Sequence, residues 1–158
     1  MVITEKATQV ANHLNDILEQ LAASAMKMEC IVQEEREAAH VFAGEQLEQL
    51  FDDRARCQSA LVELESRCRR LMMRQGLPLE TSLEHFIDAH VIESEVGALQ
   101  EKRVAIYRRL ERVRVATEEN RILLHAAWSV TNHVLHEIGA LPVQGSYGLE
   151  VMAYGGAR

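Results

Sequence analysis

Aromatic residues are scarce in this chain, at 4%, and there are only two prolines. Sheet proteins draw on aromatic and β-branched residues, so the shortage points away from strands. Positive charge is also short: the net charge is −7, which argues against nucleic acid as a partner, because phosphate binding relies on Lys and Arg releasing counterions. No apolar run approaches the ~20 residues of a membrane span. Met1 to Glu5 lacks the basic and apolar regions of a signal peptide. The chain is therefore expected in the cytoplasm without membrane insertion. Cys30, Cys57 and Cys68 are odd in number, widely spaced and without a C-x-x-C pair. That pattern fits reduced thiols better than a disulfide framework.

Catalytic and metal-binding patterns are missing as well. His133 and His136 lie one turn apart ahead of Glu137, but a helical zinc-protease site needs its histidines four apart with Glu directly after the first. A di-iron bundle needs two Glu-x-x-His elements, and only Glu37 to His40 qualifies. There is no glycine-rich phosphate loop and no nucleophile elbow. No enzyme, no metal and no cofactor are expected.

What remains is helical material. Hydrophobic residues make up 47% of the 158 positions, enough for a core, and Ala, Glu, Leu, Arg and Gln dominate. Ile3, Val10, Ile17, Ser24, Ile31 and Ala38 form one row of a seven-residue repeat. Ala7, Leu14, Leu21, Met28, Glu35 and Phe42 form the next, and Leu18, Ala25, Val32 and Ala39 widen the face enough to cover two neighbours. Gly44 interrupts the pattern. Leu47, Leu50, Arg54, Cys57, Leu61, Leu64, Cys68 and Leu71 then resume it, so a tight helix-to-helix turn is preferred over a kink. Gly76 and Pro78 stop the second arm, Gly76 being suited to a left-handed cap, and Thr81 or Ser82 with Glu84 restarts a short helix to His90.

The last stripe runs from Ile92 to Ile138. Ile92, Leu99, Ile106, Val113, Asn120, Ala127 and Val134 occupy one row, and Leu110, Leu124 and Ile138 the other. At about 1.5 Å per residue this helix would span roughly 70 Å. Gly97 inside it marks a weak point or a close helix contact. The predicted fold is all-α: an elongated antiparallel helical bundle or coiled coil of three main helices. Their ranges are about 3–42, 45–75 and 91–138, in one domain of residues 1–138, with a flexible tail over 139–158. The tail holds two of the three tyrosines, each followed by glycine. Nine acidic and three basic residues in positions 1–50 face six basic and two acidic between Glu101 and Arg114. Neighbouring helices are expected to pair these charges.

Asn120 is the polar residue most out of place in its row. Buried, it would fix register or bind a partner's backbone; otherwise its position faces water. Trp128, the only tryptophan, is read first as core packing and alternatively as an exposed binding anchor. Tyr147 and Tyr154 suit docking into small pockets.

This layout resembles the FlgN-type flagellar export chaperones: an N-terminal helical hairpin, a long final helix with Asn120, Leu123, Leu124 and Asn132, and a tail with Tyr before Gly. The resemblance implies a cytoplasmic chaperone for type III flagellar export. Such a chaperone binds the C-terminal helices of hook-filament junction proteins, prevents their premature assembly and delivers them to the cytoplasmic domain of the export gate. By analogy Asn120, Leu123, Leu124, Ala127, Trp128, Asn132 and Leu135 would contact the client. Tyr147 or Tyr154 would dock to the gate, the presence of two Tyr-Gly elements leaving the choice open. The competing reading is a structural coiled-coil scaffold that self-associates through its stripe. A helical-hairpin enzyme regulator is a weaker third.

Overall fold

The computed structural model describes residues 2–78 and 80–138, with side chains from Glu5 onward. Among these residues the chain is all-α, with four helices and no strand: α1 (Val2–His40), α2 (Gly44–Arg74), α3 (Leu83–His90) and α4 (Glu93–Glu137). The three expected long helices are α1, α2 and α4, and the short restart is α3. The expected tail, 139–158, lies outside the described residues. The described residues divide into two compact units, one up to Arg121 and one from Ile122.

In the first unit α1 and α2 form an antiparallel hairpin. Cys57 Sγ donates to the Ser24 carbonyl at 3.3 Å, and further from the turn Arg67 donates to Gln20 at 2.9 Å. The part of α4 in this unit runs alongside α1 in the same direction: Lys102 meets Glu19, Arg109 and Arg112 share Glu29, and Glu119 meets Arg36. The acidic start of the chain thus does pair with the basic stretch of α4. These side chains are largely exposed, so solvent screens each pair and little stability comes from them. They set alignment more than stability.

Apolar burial does the larger work. Val10, Ala11, Leu14, Ile17 and Leu18 of α1 meet Cys68, Leu71 and Met72 of α2 and Leu99 and Ile106 of α4 in one core cluster. Phe86 and Ile87 of α3 close it, and α3 starts where Ser82 Oγ accepts from the His85 backbone N–H at 3.2 Å. Met28, Ile31, Val32, Ala38, Leu50, Cys57 and Val113 form a second cluster nearer the turn. Each fully buried Leu, Ile or Phe contributes about 1.5 to 3 kcal/mol. A Cβ placed on Gly97 would meet nothing within 4 Å, so that glycine is not a close helix contact but a locally weak helical position.

The two helix ends of the hairpin carry the same cap with different residues. At the end of α2, Gly76 takes φ +80°, its N–H bonding Met73 O while Leu77 N–H bonds Met72 O. At the end of α1 the left-handed residue is Phe42, with φ +54°, and the bonds run from Phe42 N–H to Ala39 O and from Ala43 N–H to Ala38 O. Glycine takes this position without steric penalty, whereas an L side chain pays roughly 1 to 2 kcal/mol there. The expectation for Phe42 is corrected by this turn. The reversal ends the helix before Phe42 reaches its core row, and its ring is 70% exposed.

One polar node lies between the apolar layers. Glu35 is fully buried and Arg54 Nη1 donates to both of its carboxylate oxygens, at 3.2 and 3.0 Å. Arg54 Nη2 continues to Thr117 Oγ1 at 2.8 Å, joining α1, α2 and α4. Burial pushes the Glu35 carboxyl above the usual range, and Arg54 and Asn120 partly oppose it.

Burial also separates the thiols. Cys57 and Cys68 are buried and Cys30 is exposed; burial pushes the Cys68 thiol up to about 11. Titration of the native protein with a disulfide reagent at pH 8 is expected to modify Cys30 rapidly, with the other two reacting only after unfolding. Rapid modification of all three would contradict this packing.

Candidate functional site

The core row of α4 has a sharp end. Leu99, Ile106, Val113 and Asn120 are buried at intervals of seven. The next two members are not: Ala127 is half-buried and Val134 is exposed. Asn120 closes the first unit from inside. It is 2% exposed, and its Nδ2 donates to the Val32 carbonyl at 2.7 Å. Its amide also supports the Glu35 carboxylate, while its Oδ1 has no partner. Of the readings open for Asn120, the structure realises burial with a register-fixing bond to backbone, made to α1 of the same chain. A single buried polar residue in an apolar row specifies alignment at some cost in stability.

The other six candidate client contacts belong to the second unit, described from Ile122 to Ile138. Leu123, Leu124, Ala127, Asn132 and Leu135 are half-buried and Trp128 is exposed. At 3.6 residues per turn, the arc from Leu123 through Ala127, Leu124 and Leu135 to Trp128 and Asn132 covers about half of the helix circumference. The six therefore share one continuous side. Trp128, 62% exposed, is not the core residue first expected. Its ring lies beside His125, centroids 6.5 Å apart, with the rest of it presented to solvent.

Val134 and Ile138 lie on the same side, Val130 borders it, and Ile122 lies nearly opposite. Ile122, Val130, Val134 and Ile138 are each at least half exposed. Val134 and Ile138 already stood on the two rows of the repeat, so their position was legible. Val130 borders the rows and Ile122 lies off them, so neither gave a periodic signal. Between Arg121 and Glu137 there is no Asp, Glu, Lys or Arg. Within the helix Thr131 Oγ1 bonds back to the Ala127 carbonyl at 2.9 Å, so its hydroxyl is turned to the backbone. The surface offers apolar contact and an amide, Asn132. The His125 imidazole stands at its edge, beside Trp128. Among the described residues no three His, Cys, Asp or Glu gather as metal ligands, and no helix is long and apolar enough to cross a membrane.

The FlgN protein family matches residues 3–150, nearly the whole chain. The chain belongs to the FlgN family. FlgN proteins are flagellar export chaperones. Curated proteins and solved structures give no match. The FlgN match covers the hairpin, all of α4 and the first Tyr-Gly element of the tail; Tyr154 lies beyond it. Both tail tyrosines lie outside the described residues.

Proposed function

We propose that this FlgN-family chaperone binds the C-terminal helices of hook-filament junction proteins on the apolar side of α4 after Asn120. In this reading Leu123, Leu124, Ala127, Trp128 and Leu135 supply contact area and Asn132 supplies a hydrogen bond that sets register. Asn120 anchors the same helix to α1 from inside the first unit. The observation that carries the proposal is the coincidence of exposed apolar side chains with an absence of charge along Ile122 to His136. Contiguous exposed apolar surface on a helix marks a binding site for another amphipathic segment.

The mechanism follows from what such a client does when free. Junction-protein helices that assemble through apolar faces would associate before export; covering them on α4 removes those faces from water and from each other. Delivery falls to the tail, where Tyr147 and Tyr154 dock to the cytoplasmic domain of the export gate. A helical face suits a long helical client, and a glycine-flanked aromatic suits a small pocket. The setting is the cytoplasm.

Changing Tyr147 and Tyr154 together to Ala is expected to leave client affinity within about twofold while weakening gate binding and lowering secretion of the junction proteins. Parallel titrations against client helices and gate domain check this. Equal loss of both partners would contradict the division of roles.

A further inference from the structure

Phe42 is both strained and exposed. Its φ of +54° is one that glycine holds freely and a bulky residue holds under strain. The ring stands in water beside Val41, the two being 70% and 71% exposed. Neither property helps the first unit fold. Strain of this kind gathers where a side chain is presented for function.

Charge around the tip supplies a second, independent observation. Residues 34–53 contain seven carboxylates and one basic side chain, Arg36, and Arg36 is held by Glu119 at 2.6 Å. Glu35 turns inward to Arg54, but Glu37 and Glu45, one on each helix beside the turn, are exposed. The tip is therefore an apolar pair framed by negative charge. Two such tips repel, which disfavours tip-to-tip pairing of two copies. Anionic bilayer surfaces are disfavoured by the same sign of charge.

We propose that the α1–α2 tip is a docking knob, and that its partner is a different folded protein presenting an apolar pocket for the Phe42 ring, rimmed by Lys and Arg. Aromatic anchors in desolvated pockets carry most of the affinity of such contacts, and the charged rim orients the encounter. The knob is separate from the client-binding side of α4. Its failure would leave that reading standing.

The test uses the full chain with p-benzoylphenylalanine in place of Phe42, irradiated in its own host cells. Mass spectrometry identifies the adduct and its crosslinked residues, and the captured protein is then purified and titrated against the unmodified chain. The expected result is one protein, crosslinked in an apolar pocket flanked by Lys or Arg, whose affinity falls at least about tenfold with Phe42→Gly. It should fall again with Glu45→Lys and with added salt. Phe42→Gly suits the left-handed backbone and should melt no lower than the wild type, so lost binding cannot be laid to misfolding. Adducts only to a second copy, only to lipid or to nothing would overturn the proposal. So would a captured protein that binds Phe42→Gly as tightly as the wild type.

Discussion

Replacing Arg54 with methionine is expected to lower the unfolding free energy of the first unit by about 3 kcal/mol at pH 7, because removing one partner of a buried ion pair leaves the other charge uncompensated. Glu35 is fully buried and Arg54 is its ion-pair partner. The Arg54 side chain is 25% exposed, which places the loss at the lower edge of the usual range. The pH dependence gives a sharper check. Burial already holds the Glu35 carboxyl above its ordinary range. A carboxyl with a raised folded pKa binds its proton more tightly in the native state. Its destabilising effect is therefore full above the folded pKa and fades as pH falls through that value toward the unfolded one. Without the opposing guanidinium the Arg54→Met carboxyl rises further. The deficit relative to wild type should thus be largest at pH 7 and clearly smaller at pH 5. Urea unfolding at both pH values measures it, and an equal deficit at both, or one below about 1 kcal/mol at pH 7, would show that the node is not the buried charge pair described here.

The other large effect concerns the client. Changing Leu123 and Leu124 together to Ser is expected to weaken binding of the junction-protein helices by about 1 to 3 kcal/mol, from the apolar area that the two side chains would remove from water. Both are half-buried in the free protein, so part of their area is already covered, and the effect should fall short of two full leucine burials. Folding of the first unit should be little affected, since neither residue belongs to its core clusters. Calorimetric titration of wild type and variant checks the loss. Unchanged affinity would move the client off this side of the helix.

Much of the fold was legible because the repeat was long. Positions such as Leu14, Ile17, Leu18, Val32, Leu64 and Leu71 fall on apolar rows and are buried. A helix of that length has one way to hide such a stripe. The turn was read less well. Gly44 drew attention as the breaker, yet it opens α2, and the left-handed residue is Phe42. Backbone strain of this sort has no composition signal, because the residue present is not one that favours the conformation. Gly76, by contrast, matched residue to conformation and was read correctly.

The polar node left a faint trace. Glu35 and Arg54 both occupied positions in otherwise apolar rows, on the two arms flanking the turn, and opposite charges so placed are a signal for a buried pair. Asn120 was visible as an intruder, but sequence could not say whether its partner was another protein or this chain's own α1. That depends on which backbone lies opposite, and here it is Val32. Trp128 misled for a related reason. A lone tryptophan near an apolar row is usually covered, but periodicity continues unchanged past Asn120 while the burial does not. The repeat records that a face is apolar, not whether its covering comes from the same chain.

Trp128 is also the means to test the central claim. As the only tryptophan, exposed on the proposed client side of α4, it reports on that surface without a label. The measurement is a fluorescence titration of the full chain with the isolated C-terminal helices of a junction protein, followed by iodide quenching of the complex. The expected result is a saturable blue shift with loss of iodide access, as the indole leaves water. Saturable binding with unchanged emission and quenching, or a blue shift that follows only the chain's own concentration and not the added client, would contradict it.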